Sequence, residues 1–402
     1  MPESTRSPSA ETCDGIVCYA GVDWWYHNRG HSECQVMTRL ARRLPVLWVN
    51  SIGMRTPVPG KTDIAWHRYA RKLKSLTKGL RRDDESGMWV YSPLFVPRYT
   101  PRCVRFNGRF VAWQVARLCR RLKIEHPSVW VTVPTIAGAV ERGRWVRCVF
   151  NRSDEFSAFP DADKNLIVPL ERRLLELADT VIYVNEPLYE RERSQCRHAV
   201  YLGHGVDFDR FAAARPLAGP RPAPPPAMTH LPRPIVGFYG AMDDYRMDLA
   251  LLIKLARRIA PGTLVMIGPK QMDLSRLEAE PNVTCIGQLP PAELPAYAAQ
   301  FDVGIIPFLD NDFNRQCNPI KLKEYLTLAF PVVATRLPAF EPYERLITLA
   351  ESHEPFLDAV DRILKQDDDP QLQKRCRNAV AGDSWDTIAD RAAELLHVPP
   401  SS

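Results

Sequence analysis

Short apolar runs alternate with longer amphipathic segments along most of the chain. In the first half, the apolar runs predict strands at 15–20, 45–50, 88–91, 128–133, 147–150, 180–184 and 199–202. Apolar residues at helical spacing predict helices between them, at 31–44, 104–122 and 163–178. Strands that alternate with helices form a mostly parallel sheet with helices on both faces.

The same alternation restarts after a Pro-rich break at 215–226. The second half predicts strands at 235–240, 263–268, 282–287, 302–307 and 331–335, and helices at 248–259, 291–300 and 384–396. We therefore predict an α/β fold of two Rossmann-like, doubly wound domains that face each other across a crevice. The predicted parts are a disordered terminus at 1–13, a first domain at 14–214, a linker at 215–233, a second domain at 234–383, and a helix and tail at 384–402 that return to the first domain.

Composition narrows the class of protein. The chain has 402 residues, of which 45% are hydrophobic and 25% charged, as in globular proteins with room for two cores. Its net charge of +6 is too modest to indicate a nucleic-acid partner. The ten Cys include no Cys-x-x-Cys pair, no secretory signal is recognisable, and no apolar run approaches the roughly 20 residues that span a bilayer. We expect a reduced, cytosolic protein.

One segment of the chain carries positive charge only. Residues 66–82 contain an apolar stripe at helical spacing, from Trp66 to Leu80, among Lys and Arg residues with no acid. A basic amphipathic helix suits an anionic membrane surface, which predicts a peripheral location on the inner face of the cell membrane. The alternative is a helix on the core with a solvated basic face.

A candidate anion site lies at 318–335, where a loop leads into a helix and then into a buried strand. Pro319 suits a first helical turn, and the free N–H groups of that turn, next to Lys321, would attract an anion. Glu324, one turn further, could accept hydrogen bonds from a ribose. The alternative is an ordinary helix–strand unit.

Five segments in this order, at 236–243, 264–268, 282–290, 294–307 and 318–335, resemble the donor-nucleotide domain of GT-B glycosyltransferases. The resemblance is to family 4 and to related bacterial enzymes of the teichuronic-acid and exopolysaccharide type; residues 202–207 extend it, and the first half matches weakly. It implies that the second domain binds a sugar donor activated by UDP or GDP, and that the first binds the acceptor. It also implies an enzyme that needs no metal and no cofactor.

The resemblance assigns a set of donor-binding residues. Gly240 would let the backbone approach the diphosphate, and Arg246 would replace the Lys that the family often places there. Gln316 stands where the family commonly has the first acid of a pair that ends at Glu324, which leaves the retaining or inverting outcome open. The full predicted set is Gly240, Arg246, Asn314, Gln316, Asn318, Pro319, Ile320, Lys321 and Glu324.

Candidate catalytic and acceptor residues follow two strands of the first half. Asp154 fits the position of the catalytic base in related enzymes, with Glu155 as the second candidate; the alternative is that Asp154 caps a turn. The loop after the first strand, which usually meets the acceptor in this architecture, carries polar and aromatic groups that could instead pack under neighbouring loops. The predicted acceptor set is Asp23, Trp25, His27, Arg29 and His31.

The leading hypothesis is a glycosyltransferase that moves a sugar from a nucleotide-diphosphate sugar to a hydroxyl of a lipid-linked or small-molecule acceptor. One alternative is a sugar-nucleotide 2-epimerase of the same architecture, which would consume the donor without an acceptor. The other is an inactive nucleotide-binding partner subunit, which the loss of an acid at Gln316 suggests.

Overall fold

The computed structural model describes residues 12–26, 29–53, 74–159 and 162–400. The chain divides into two compact units. The first unit runs to Gly203 and includes Ile388–Ser402, and the second unit is His204–Thr387.

The first unit is built on a mostly parallel sheet. Its strands, among the described residues, are β1 (Gly15–Tyr19), β2 (Val46–Val49), β3 (Leu80–Arg82), β4 (Trp89–Tyr91), β5 (Pro127–Val131), β6 (Cys148–Arg152), β7 (Thr180–Tyr183) and β8 (Ala199–Tyr201). They lie in the order β3-β4-β2-β1-β5-β6-β7-β8, and only the β3–β4 pair is antiparallel. The helices are Ser32–Leu40, Pro101–Leu122, Ala137–Val140, Lys164–Leu177 and Glu186–Glu192.

The second unit has a fully parallel sheet in the described residues. Its strands are β9 (Ile235–Tyr239), β10 (Thr263–Ile267), β11 (Val283–Gly287), β12 (Val303–Ile306), β13 (Val332–Thr335) and β14 (Thr348–Ala350). The order β11-β10-β9-β12-β13-β14 reverses direction between β9 and β12, where doubly wound sheets bind ligands. The helices are Phe208–Ala214, Leu249–Ile259, Ser275–Glu278, Leu294–Ala298, Asp312–Arg315, Lys321–Leu328, His353–Leu364 and Pro370–Val380. The helix Trp385–Leu395 begins in this unit and continues into the first.

The central strands are apolar on both faces because helices cover both sides of each sheet. Val17, Leu47 and Phe150 are fully buried in the core of the first unit, as are Val236 and Ile305 in that of the second. Such strands appear in the sequence as continuous apolar runs. The predicted α/β fold with two doubly wound domains is therefore confirmed.

The predicted linker is placed differently. The division falls at Gly203, and residues 215–233 belong to the second unit. The buried Arg215 donates to the carbonyl oxygens of Ala299 and Phe301, and Arg221 donates to Asp302. Two guanidinium groups thus fix this Pro-rich stretch to the second unit through hydrogen bonds to two carbonyl oxygens and one carboxylate.

The predicted termini and basic helix are described only in part. Residues 1–11 and 54–73 lie outside the described residues. The predicted helix at 66–82 is wrong at its end, because Leu80–Arg82 is strand β3, paired with β4. Near the other terminus, the carbonyl oxygen of Leu396 accepts from Ser128 Oγ at 2.6 Å, so the end of the chain contacts the first unit. No helix among the described residues is long and apolar enough to cross a bilayer.

Candidate functional site

Two glycines form the floor of a candidate site at the reversal point of the second sheet. Gly240 follows β9 with φ of 139°, and Gly268 follows β10 with φ of 138°, values that side chains rarely tolerate. A Cβ on Gly268 would lie 2.0 Å from the carbonyl oxygen of Gly240, and a Cβ on Gly240 would lie 2.9 Å from Lys321 Nζ. The two glycines therefore let the backbone and Lys321 approach each other closely.

Lys321 begins the helix that connects β12 to β13, so its backbone N–H lies at the positive end of the helix dipole. Its side chain is buried, and Nζ lies 4.5 Å and 4.6 Å from the ring centroids of Phe238 and Phe308. Burial, with the nearby Arg246 charge, lowers the pKa of Lys321 to about 7. The buried ammonium thus lacks a full counter-charge, and an anion at this position would supply one.

Glu324 lies one turn further along the same helix. Tyr239, the residue before Gly240, donates its hydroxyl to Glu324 Oε2 at 2.7 Å. Glu324 keeps some exposed surface, yet desolvation raises its pKa to about 7. Its carboxyl group is therefore held between the neutral and ionised forms near neutral pH.

Arg246 and Asp243 complete the group. Arg246 Nε lies 3.6 Å from Asp243 Oδ2, and its guanidinium lies within 6.0 Å of the rings of Tyr245, Phe308 and Phe313. Asp243 is buried, and desolvation raises its pKa. We call Gly240, Asp243, Arg246, Lys321 and Glu324 the cradle. Asp243 and Tyr239 are missing from the sequence prediction, although both are within three residues of Gly240.

The remaining predicted donor residues lie on the segment that leads into the helix. Asn314 is fully buried, and its amide donates to the carbonyl oxygens of Arg246, at 3.0 Å, and Leu309, at 2.7 Å. Both amide hydrogens therefore have partners within the unit, whereas Oδ1 has none among the described residues, and the assignment of Asn314 to the donor site stays a prediction. The other four predicted residues are half-buried. They lie in the chain between the helix Asp312–Arg315 and the helix that begins at Lys321: Gln316, Asn318, Pro319 and Ile320.

The candidate bases follow β6 in the first unit. Glu155 forms an ion pair with Arg191 at 2.8 Å. Asp154 accepts a 3.3 Å hydrogen bond from Ser153 Oγ, and its backbone carbonyl accepts from Arg152 at 2.9 Å. Asp154, the first candidate base, and Glu155, the second, thus both follow the carboxyl end of β6.

Arg152, the last residue of β6, anchors this segment through buried ion pairs. It is buried and pairs with the carboxylates of Glu171 and Glu192, the latter through two hydrogen bonds at 3.1 Å and 3.2 Å. Arg152 is absent from the predicted site residues, because its partners are 19 and 40 residues away in the chain.

A buried acid lies at the reversal point of the first sheet, between β1 and β5. Glu33 accepts from Gly21 N at 3.0 Å and from Thr132 Oγ1 at 2.6 Å. Burial raises the pKa of Glu33 to about 7, and the nearby Asp154 charge adds to the shift. Glu33 therefore ties the loop after β1 to the segment after β5.

The predicted acceptor residues lie on that loop, except that His27 is outside the described residues. Asp23 is buried and accepts from Ser75 Oγ at 2.7 Å, while Arg29 pairs with Asp83 at 3.1 Å and with Glu85. The structure thus gives Asp23 and Arg29 partners within the unit. Trp25 is half-exposed under the Lys78 ammonium, 4.2 Å from its ring centroid, and His31 is exposed before the first helix.

Comparisons with known proteins identify a family match in the second unit. Residues 233–367, which contain the whole cradle, match the family described as Glycosyl transferases group 1. TuaH of Bacillus subtilis (strain 168) is 24% identical over 285 residues, which are 66% of this chain and 70% of TuaH. TuaH is provisionally assigned as a glycosyltransferase of teichuronic acid biosynthesis.

Two solved structures share the fold over nearly the whole chain. Sucrose-phosphate synthase from Thermosynechococcus elongatus has a TM-score of 0.66 at 17% identity, over 95% of this chain and 98% of its own. HepE of Anabaena, solved in complex with UDP, has a TM-score of 0.62 at 11% identity, over 95% of this chain and 98% of its own. At these identities the likeness concerns the fold alone.

Proposed function

We propose that this chain, a GT-B glycosyltransferase with a group 1 glycosyltransferase domain in its second unit, transfers a sugar from UDP-sugar to a hydroxyl of a lipid-linked acceptor. UDP takes precedence over GDP because HepE, which shares the fold, was solved with UDP. The lipid-linked acceptor takes precedence over a small molecule because the helix Pro101–Leu122 has an exposed face of aromatic and basic residues.

The observation that carries the donor half of the proposal is the buried, under-neutralised Lys321 beneath Gly240. A diphosphate on this floor would meet the Lys321 ammonium and the Arg246 guanidinium at the positive end of a helix dipole. Glu324 lies one turn deeper, where a carboxylate can accept from ribose hydroxyls. The cradle supplies these charges from protein groups alone, which supports the proposal of a metal-independent enzyme.

In the proposed reaction, an acceptor hydroxyl oxygen bonds to the anomeric carbon of the donor sugar. The bond from that carbon to the diphosphate oxygen breaks, and the electron pair leaves with UDP. Lys321 and Arg246 stabilise the charge that develops on the leaving diphosphate. Asp154 accepts the hydroxyl proton, a role that contributes about 100-fold or more to turnover.

The test has a binding step and a turnover step. Melting temperatures are measured with UDP, GDP and dTDP, because a ligand that binds the native state raises stability by mass action. UDP release from UDP-sugars is then followed with and without a polyprenyl-linked sugar and with a soluble sugar. We expect UDP to give the largest melting shift, and release to require the lipid-linked acceptor.

Each other outcome contradicts part of the proposal. Donor conversion without any acceptor would indicate an epimerase, and tight UDP binding without turnover would indicate an inactive subunit. Transfer to the soluble sugar alone would replace the lipid-linked acceptor. Asp154→Asn should keep the UDP shift but lose turnover; if turnover falls in Glu155→Gln instead, the base is Glu155.

We also propose that the enzyme works as a peripheral protein at the cytoplasmic face of the membrane. The segment 66–82, the first candidate for that contact, is described only from Lys74 onward. Within that part, Lys78 lies over the rings of Trp25 and Tyr26, so its charge is shared with the loop after β1.

A further inference from the structure

The outer face of the helix Pro101–Leu122 exposes unusual apolar surface. Phe106 and Trp113 are 53% and 57% exposed, and the neighbouring Leu94 and Val96 are 53% and 36% exposed. These four are the majority of the exposed large hydrophobic residues in the described part of the chain. Clustered apolar surface of this kind marks an interaction site.

Hydrogen bonds between the helix and the segment with Leu94 and Val96 fix this apolar surface in position. Asn107 bonds to both the N–H and the carbonyl oxygen of Val96 at 2.8 Å, and Gln114 does the same with Leu94 at 2.9 Å. The opposite side of the helix packs closely, since a Cβ on Gly108 would lie 2.9 Å from the backbone of Gly138. The segment and the helix therefore present one fixed face.

The aromatic rings of this face stack on one another. The rings of Phe110 and Trp113 lie 6.0 Å apart at an interplanar angle of 7°, and those of Phe106 and Phe110 lie 5.8 Å apart at 28°. The rings thus form a continuous apolar strip along the helix. Because they pack on each other, they are less suited to stacking on nucleic-acid bases.

The charged residues in the sequence around this strip of aromatic rings are all basic. Between Ser86 and Ile124 the sequence has eight basic residues and no acidic residue. On the helix, six arginines form no ion pair with any side chain in the described part of the chain: Arg102, Arg105, Arg109, Arg117, Arg120 and Arg121. Elsewhere in the first unit arginines do pair, as Arg173 does with Glu141.

We propose that this face, consisting of Leu94, Val96, Phe106, Phe110, Trp113 and the six arginines of the helix, docks on an anionic lipid bilayer. Aromatic and aliphatic side chains enter the headgroup region, and guanidinium groups pair with lipid phosphates. Surface arginines add to membrane attraction and lose effect as salt shortens the Debye length. The unpaired charge on the helix is thus complementary to a negative surface.

The position of this face suits the reaction. β4 and β6 are parallel members of one sheet, so Tyr91 and Arg152 end at the same edge. The segment with Leu94 and Val96 leaves that edge from β4, and Asp154 leaves it from β6. Docking would therefore bring the carboxyl edge of the first unit close to the membrane. The value of this position for the reaction rests on the proposed lipid-linked acceptor, whereas docking itself does not.

The test is co-sedimentation with vesicles of phosphatidylcholine containing phosphatidylglycerol, compared with pure phosphatidylcholine, at low and high salt. We expect wild-type binding to require phosphatidylglycerol and to weaken at high salt. Arg105→Glu/Arg109→Glu should lower the partition coefficient about tenfold or more. Phe106→Ser/Trp113→Ser should lower it at constant charge.

The matched control is Lys374→Glu/Arg375→Glu, which makes the same charge change at two exposed residues of the second unit. We expect this variant to bind vesicles within about twofold of wild type, because its two charges are not part of the docking face. All variants should keep the UDP-induced melting shift, so loss of docking is separable from failure of the donor site or of folding.

Four results would overturn the proposal. One is wild-type protein that does not sediment with anionic vesicles at low salt. Another is equal loss of binding in the control, which would mean that only net charge matters. The third is binding lost through Lys72→Glu/Lys74→Glu/Lys78→Glu but kept in both helix variants, which would assign docking to the segment 66–82. Binding to single-stranded RNA in place of vesicles would instead identify a nucleic-acid surface.

Discussion

UDP binding should take up a proton from solution at pH 8, and Lys321 should be the group that receives it. Burial and Arg246 lower the pKa of Lys321 to about 7 in the empty protein. At pH 8, such a group is protonated in only about a tenth of molecules. A diphosphate beside Nζ favours the ammonium form and returns the pKa toward its ordinary range.

The net uptake follows from the groups at the site. Lys321 should gain about 0.9 proton on binding at pH 8. Glu324, whose pKa is about 7, is already mostly ionised at pH 8 and should release about 0.1 proton when ribose hydroxyls stabilise its carboxylate. The terminal phosphate, with a pKa near 6, is fully ionised at that pH. We therefore expect a net uptake of about 0.8 proton per UDP.

Isothermal titration in phosphate, HEPES and Tris at pH 8 measures this uptake, because the apparent enthalpy varies linearly with the ionisation enthalpy of the buffer. The slope should approach the expected uptake for UDP and vanish for uridine, which lacks the diphosphate. Lys321→Met should bind UDP more weakly with a slope near zero. A flat wild-type series, or an unchanged slope in Lys321→Met, would refute the placement of the diphosphate at Lys321.

Other substitutions test the groups around Lys321 and the clamp of the first unit. Glu324→Ala should weaken UDP binding by about 1–3 kcal/mol in calorimetry, and unchanged affinity would remove Glu324 from the site. Gly240→Ala should lower both the melting temperature and UDP affinity, because the new Cβ is strained at φ of 139° and displaces the Lys321 ammonium; intact affinity would contradict the close approach. Arg152→Ala should cost about 3–5 kcal/mol of unfolding free energy in denaturant titration, because two buried carboxylates lose their partner. Arg173→Ala, at an exposed pair, should cost about 1 kcal/mol or less, and equal losses would contradict the buried network.

The sequence predicts the central strands well because their apolar runs are continuous. β1, β9 and β12 lie within the predicted segments, since strands buried on both faces leave an unbroken signal. Edge strands leave a weaker one. Leu80–Arg82 pairs on one side only and is partly exposed, so its Leu-Arg-Arg sequence fits a basic helix as well as a strand. The prediction of a basic helix at 66–82 is therefore wrong at residues 80–82.

The candidate sites likewise contain residues whose position follows from local sequence signals and residues whose contacts do not. Lys321 and Glu324 are predictable because a helix start after a loop leaves local signals within a few residues. Asp23 and Arg29 have partners that the local sequence does not reveal, since Ser75 and Asp83 lie 52 and 54 residues away in the chain, and their role toward an acceptor stays a prediction. A polar side chain in a loop has the same local sequence whether a ligand or a distant residue satisfies it.

The burial of Lys321 and Glu324 also explains how one site can favour a nucleotide diphosphate over smaller anions. Lys321 has a lowered pKa, so its penalty on folding is full below pH 7 and fades as pH rises toward 10.5. Glu324 has a raised pKa, so its penalty is absent below pH 4.5 and full above about 7. Near neutral pH the empty cradle therefore carries unsatisfied charge of both signs. A ligand that brings phosphate to Lys321 and hydroxyl donors to Glu324 relieves both penalties, whereas inorganic phosphate relieves one.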